Sequence, residues 1–418
     1  MLTDLLYDLW PYQIFKSVFF RSGVAFLTTY IVIALLMPRL IGYLRRIGAT
    51  SDFVEDDKDV KPYTGGKPIM GGGILIVGII VSSVLWLELN QFVVALLAIM
   101  VCFGLIGGVD DIAKIRHRRR VEAGLEEKKH YTNKADGVAG SHRLALMFLV
   151  ATVVVVGLYL YVEIDGHLVV PFIPLKWWFP YLPRYIFVPF MVLIIVAGAN
   201  AVNLTDGMDS LATVPILTCA VFAALAAYVG SDAEWHLRLG LPSLPPAMKE
   251  VTVFGAAMVS AGLAFLRFNA PPAMITMGDM GALALGSTMS AMFILAKVEL
   301  FLPLVGGVFV LTTLSTIVQR VFFKYVAWRH GREVALRRRF FYRAPYHHHL
   351  QALWTYSETP REVESVWVSW LRKIGMRPPS VRNQLLRSFD VDSRVVWRMH
   401  MWSIWLFVMA LVVYFKVR

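Results

Sequence analysis

Ten apolar stretches divide this chain: 23–44, 70–88, 91–108, 144–162, 185–202, 211–229, 251–268, 281–297, 300–323 and 401–416. Each is close to the ~20 residues that a helix needs to cross about 30 Å of hydrocarbon. The runs are continuously apolar and lack the alternation of barrel strands, so each must satisfy its backbone hydrogen bonds internally, as a helix. With 57% of its residues hydrophobic, the chain has too little polar surface for a soluble domain of its 418 residues. The expected fold is an all-α polytopic membrane protein of about ten transmembrane helices, a single membrane domain over 1–418. The first 21 residues carry Asp4, Asp8 and Pro11 without a basic start or a small-residue cleavage site. They read as an interfacial segment with Trp10, Tyr12, Phe19 and Phe20, not as a signal peptide.

Lys and Arg concentrate in the loops after the first, third and ninth runs: Arg45, Arg46, Lys58, Lys61 and Lys67, then Lys114 to Arg143, then Lys324 to Arg398. By the positive-inside rule these loops are cytoplasmic and both termini lie outside, in the periplasm. The net charge of +12 is thereby explained as orientation and attraction to anionic lipid, and the Arg-rich patches need no nucleic acid. Cys102 and Cys219 both fall inside apolar runs, which leaves no disulfide framework. Two cytoplasmic insertions are long. Residues 116–142 are highly charged and expected to be partly disordered. Residues 351–398 set Trp354, Trp367, Trp370 and Leu371 among arginines, as in an amphipathic surface helix, followed by a Pro378-Pro379 break.

Four acidic or His-rich segments and one Gly-rich segment stand at the ends of the runs, all on the side assigned to the cytoplasm. They are GGVDDIAK (Gly107 to Lys114), NLTDGMD (Asn203 to Asp209), MGDMGALALG (Met277 to Gly286), PYHHHLQ (Pro345 to Gln351) and GGKPIMGGG (Gly65 to Gly73). Asp110, Asp111, Asp206, Asp209 and Asp279 would meet at a single face, where they cannot all stay ionised without cations. Hard oxygen ligands of this kind suit Mg²⁺, which takes one or two carboxylates and leaves its other positions to water and substrate phosphates. Glycines at helix starts offer backbone N–H groups to phosphate oxygens. The combination implies phosphoryl transfer at the membrane interface. Three consecutive histidines cannot all face one way on a helix, so a three-histidine metal site is not expected. A transporter would place its acids at mid-span and show inverted repeats, neither of which is seen.

At these residues the chain resembles the polyprenyl-phosphate N-acetylhexosamine-1-phosphate transferase superfamily. It carries GxxDDxxK, NLTDGxD and MGDxGxLALG, together with the APxHHH pattern (Ala344 to His349) of the phospho-N-acetylmuramoyl-pentapeptide-transferase branch. The resemblance covers residues 23–350 and the last run. It implies transfer of phospho-MurNAc-pentapeptide from UDP-MurNAc-pentapeptide to undecaprenyl phosphate in the bacterial cytoplasmic (inner) membrane, giving lipid I and UMP with Mg²⁺. A sibling transferase moving N-acetylglucosamine-1-phosphate is the alternative. By position the resemblance implies Asp279 as the main Mg²⁺ ligand, with Asp110 and Asp111 serving the attack and Asp111 helping to hold the metal. Lys67, Lys114, Asn200, Asn203, Asp206, Asp209, Asn269, His347, His348 and His349 would bind substrate, and a homodimer is suggested. Four departures stand out: Thr64 and Lys67 in place of the usual lysine pattern, Thr276 in place of an aromatic residue, Arg143 where a GLSxxxK lysine is usual, and Gln351 where an acid follows the histidines.

Overall fold

The computed structural model describes residues 2–50, 66–122, 124, 140–161, 166–173, 180–354, 364–374 and 388–416. The helices are α1 (Leu2–Leu9), α2 (Val18–Arg46), α3 (Gly72–Trp86), α4 (Gln91–Glu122), α5 (Gly140–Tyr161), α6 (Arg184–Thr205), α7 (Thr213–Ser231) and α8 (Trp235–Leu239). They continue as α9 (Lys249–Asn269), α10 (Gly278–Leu295), α11 (Leu302–Val305), α12 (Gly307–His330), α13 (Arg332–Arg337), α14 (Tyr346–Trp354), α15 (Val366–Lys373) and α16 (Ser388–Lys416). Two-residue strands β1 (Arg338–Arg339) and β2 (Glu364–Ser365) pair in parallel. Among the described residues nine helices are long and apolar enough to cross a membrane, and α3, expected as a span, is a shorter apolar helix. The fold is an all-α polytopic membrane protein.

Helix α10 is the axis of the bundle, with every residue from Gly281 to Leu295 buried. Its small residues let neighbouring backbones approach closely, as membrane helices require when no hydrophobic force draws them together. A methyl group on Gly72 of α3 would lie 2.2 Å from Gly281 Cα, and one on Gly107 of α4 would lie 2.3 Å from the Asp279 carbonyl oxygen. Helices α4 and α6 pack along α10, and α2, α7 and α9 complete the interior. A buried pair, Arg21 to Glu250 at 2.6 Å, ties α2 to α9 at the end remote from the acidic segments.

Several expected boundaries move. The third span does not end in a loop at residue 108: α4 runs on to Glu122, because no Gly or Pro interrupts Ile112 to Glu122 and Ala, Lys and Arg favour helix. Asp110, Asp111 and Lys114 therefore ride on a continuous helix, and the 116–142 insertion begins as helix. The ninth span starts later than expected, since a 3₁₀ turn at Glu299–Phe301 and α11 precede α12. The last helix begins at Ser388, well before residue 401. In the 351–398 insertion Trp354 closes α14, while Trp367, Trp370 and Leu371 lie on the amphipathic α15, capped by the Ser365 side chain. Residues 123, 125–139, 355–363 and 375–387, including Pro378-Pro379, fall outside the described residues, as do Lys58, Lys61, Thr64 and Gly65.

Candidate active site

The five segments meet at one end of the bundle, where α10 begins. A helix start leaves backbone N–H groups without partners, and here a carboxylate of another helix satisfies two of them. Asp111 of α4 accepts the N–H of Asp279 at 3.2 Å and of Met280 at 3.0 Å. Asp206, directly after α6, carries its carboxylate to the Gly278 N–H side of the same helix start. The cap is thus built in trans, and the charge of both acids also suits the positive end of the helix. Gly278 has φ +75°, and a methyl group there would lie 2.7 Å from Asp111 Oδ2. Glycine is required at this point both for backbone conformation and for the approach of the carboxylate.

Beside this cap two cations and two carboxylates alternate. Lys114 Nζ lies 2.9 Å from Asp110 Oδ2 and 2.9 Å from Asp279 Oδ2. Arg143 Nη1 lies 3.0 Å and 2.8 Å from the same two oxygens. The adjacent pair that the sequence brings forward is not itself at the surface: Asp110 is 1% and Asp111 3% exposed. Lys114 and Arg143, with side chains 38% and 23% exposed, form the accessible rim above them. Arg143 is the member of this cluster that the motif reading left out of the site. Its signal was the loosely matching GLSxxxK segment, and the first turn of α5 brings it against Asp110 and Asp279.

The turn after α6 forms the opposite wall. Asp209 accepts Lys67 Nζ on both oxygens, at 2.8 and 2.6 Å, and the N–H of Ala273 at 2.9 Å. It therefore joins the 66–71 and 270–277 segments to the turn, and Lys67 is paired with an acid. Asn269 does not face the cleft. It is buried, accepts the Ser210 N–H and the Thr213 hydroxyl, and donates to the Ile275 carbonyl, so it braces the turn from behind. Asn200 donates to the Val196 carbonyl of its own helix and lies against Met147. Asn203 sits half-buried in the last turn of α6.

The three histidines divide as their spacing on α14 demands. His349 turns into a nest of Phe341, Tyr342 and Tyr346 and accepts the Tyr342 N–H on Nδ1. Burial lowers its pKa to about 4. His347 is fully buried, and burial, with His348 beside it, lowers its pKa to about 3. Both rings are neutral at pH 7. A methyl group on Gly207 would lie 2.9 Å from His347 Nε2 and 3.8 Å from His348 Nε2. The first two histidines therefore meet the acidic turn, whereas His349 does not.

Charge is unbalanced at this end. Asp110, Asp111, Asp206, Asp209 and Asp279 face Lys67, Lys114 and Arg143 among the described residues. Asp206 carries the consequence: burial, then Asp279, Asp111 and Asp209, push its pKa well above the usual carboxylate range. Among the described residues no three His, Cys, Asp or Glu side chains make a metal site by themselves. A hard divalent ion that takes one or two carboxylates and completes its shell with substrate phosphates suits this acid-rich set.

Known proteins are similar to this chain in sequence. The model of Glycosyl transferase family 4 matches residues 93–297, an interval that contains all five of these aspartates, Lys114 and Arg143. A phospho-N-acetylmuramoyl-pentapeptide-transferase of Desulfovibrio desulfuricans is 34% identical over 81% of this chain and 87% of its own length. The protein of that name from Koribacter versatilis is 33% identical over 85% and 91%. The chain belongs to the phospho-N-acetylmuramoyl-pentapeptide-transferase family. A third member, from Maridesulfovibrio salexigens, is 35% identical over 81% of this chain and 87% of its own. Lys67 and the histidines lie outside the interval matched by the family model, so their place beside this family's acidic cluster rests on the packing of the 66–71 segment and of α14.

Proposed function

We infer that this protein transfers phospho-MurNAc-pentapeptide from UDP-MurNAc-pentapeptide to undecaprenyl phosphate at the cytoplasmic face of a bacterial inner membrane, releasing UMP and leaving lipid I. The observation that carries this reading is the meeting of Asp110, Asp111, Lys114, Arg143, Asp206 and Asp279 around the start of α10, in a chain similar to enzymes of that name over most of its length. An oxygen of the acceptor phosphate forms a bond to the sugar-linked phosphorus of the donor. The bond from that phosphorus to the bridging oxygen breaks, and its electron pair leaves with UMP. Lys114 and Arg143 form the cationic rim on which the diphosphate is oriented. Asp110 holds both cations from below. Asp111 accepts backbone N–H groups on both oxygens, and one acid of the pair would orient the acceptor phosphate and take its proton. Asp279 and Asp111 would hold Mg²⁺, which when bound neutralises charge on the diphosphate.

The test is UMP release by purified protein given a polyprenyl phosphate and either UDP-MurNAc-pentapeptide or UDP-N-acetylglucosamine, with and without Mg²⁺. Release is expected from the first donor alone and only with the ion. Release from the second donor alone would assign the protein to the sibling transferases.

Arg143→Ala leaves Asp110 and Asp279 sharing Lys114, which truncates a largely buried charge cluster. A fall in kcat/KM of about a hundredfold is expected. Arg143→Lys, which restores the charge without the planar fork, should recover part of it. Equal activity of all three forms would remove Arg143 from the site.

A further inference from the structure

Gln351 follows the three histidines by two positions, and its amide links one of them to a carboxylate far along the chain. Gln351 Nε2 donates to Asp392 Oδ1 at 2.8 Å. The other end of the amide, Oε1, meets His348 Nδ1 at 3.0 Å. The polarity of this chain is fixed by its ends. A carboxylate only accepts, so the amide must give it an N–H, and its oxygen is then left to accept from the imidazole. His348 Nδ1 is therefore the protonated nitrogen, and Nε2 is the nitrogen presented toward Gly207 in the acidic turn.

Asp392 belongs to the part of α16 that precedes the last apolar run. This extension does not drift over the membrane surface. Val391, Val395 and Met399 pack with Leu350 and Trp354 of α14 and with Leu211 after the acidic turn. The Arg398 guanidinium lies 4.1 Å from the Trp354 ring centre. Farther along, His400 Nε2 meets the Ser210 carbonyl at 3.0 Å. One helix thus touches both walls of the cleft, the histidine segment and the turn that carries Asp206 and Asp209.

We propose that Asp392 is a positioning residue of the active site, holding the ring and tautomer of His348 through Gln351 so that Nε2 faces the donor substrate. The inference rests on the transferase reading given above. A hydrogen-bonded carboxylate behind an imidazole is a common way of fixing which nitrogen is presented; here an amide is interposed, and the acid lies in the part of α16 that precedes the last apolar run.

The test uses the sign of one substitution in two backgrounds. Asp392→Ala removes the acceptor at a partly exposed helical position, where alanine is well tolerated. It should raise KM for the nucleotide donor about tenfold, with a smaller change in kcat and an unchanged melting temperature. Gln351→Glu alone sets a second carboxylate against Asp392 and should also impair the enzyme. In the Asp392→Ala background the same Gln351→Glu should restore KM to within about twofold of the starting protein, because the new carboxylate accepts directly from His348. Gln351→Glu having the same effect in both backgrounds would overturn the proposal, as would a wild-type KM in Asp392→Ala. A lowered melting temperature with no rescue would reduce the contact to an anchor for α16, which also overturns it. If the unmodified protein releases no UMP from UDP-MurNAc-pentapeptide, the functional reading fails instead, and the two failures are distinct.

Discussion

Asp279→Asn should lower kcat for UMP release by on the order of a thousandfold while leaving the protein folded. Asp279 is the acid on which the others converge: it shares Lys114 and Arg143 with Asp110 and is a repulsive neighbour of both Asp111 and Asp206. Its backbone N–H, not its side chain, makes the cap contact with Asp111, so the amide substitution leaves the start of α10 intact. It removes one of the few charges able to hold a divalent ion. Binding of Mg²⁺, read as the rise in melting temperature with added ion, should weaken in parallel with kcat. Near-normal Mg²⁺-dependent turnover in the variant would end the assignment of Asp279 to the metal. Asp111→Ala would be a poorer test, because it also strips two hydrogen bonds from the helix start, at a cost of about 1–2 kcal/mol for a lost cap.

The span pattern was legible because hydrophobic runs report directly on what a bilayer demands, and the carboxylates were legible because acids beside such runs need an explanation. What escaped was decided by packing. Ile112 to Glu122 favours helix, but nothing in GGVDDIAK tells that the continuing α4 buries Asp110 and Asp111 and leaves Lys114 and Arg143 on the accessible rim. Asn269 lies near the motifs in sequence, yet three hydrogen bonds spend its amide on the back of the turn. The histidine triplet showed its chemistry but not its division of labour, which follows from the aromatic nest that takes His349. Least legible was Asp392, which stands 43 positions beyond His349 in number in a stretch read as a surface cover. Its contact with Gln351 arises because α16 begins earlier than its apolar run and lies along α14.

Asp206→Asn should change activity and stability in opposite directions. In the folded protein burial and three neighbouring acids raise the pKa of Asp206, whereas in the unfolded chain it returns to about 3.9. The folded state thus binds the proton more tightly, and stability falls as pH rises from the unfolded value through the raised folded value. Below that window the carboxyl is neutral in both states, and the substitution should have little effect. Above it the ionised group is held against its neighbours, and Asn, which carries no charge, relieves the repulsion. Without divalent ions the variant should therefore melt a few degrees higher than the starting protein, on the scale of about 2–4 °C per kcal/mol. Added Mg²⁺ should raise the melting temperature of the starting protein more than that of the variant, narrowing the gap, because the ion compensates the same excess charge. UMP release should nevertheless fall by about a hundredfold, since the charge that destabilises the empty site is part of what draws the ion and its diphosphate there. A variant that melts lower above that window would show that Asp206 is retained for the fold, and the charge excess at the start of α10 would then need another purpose.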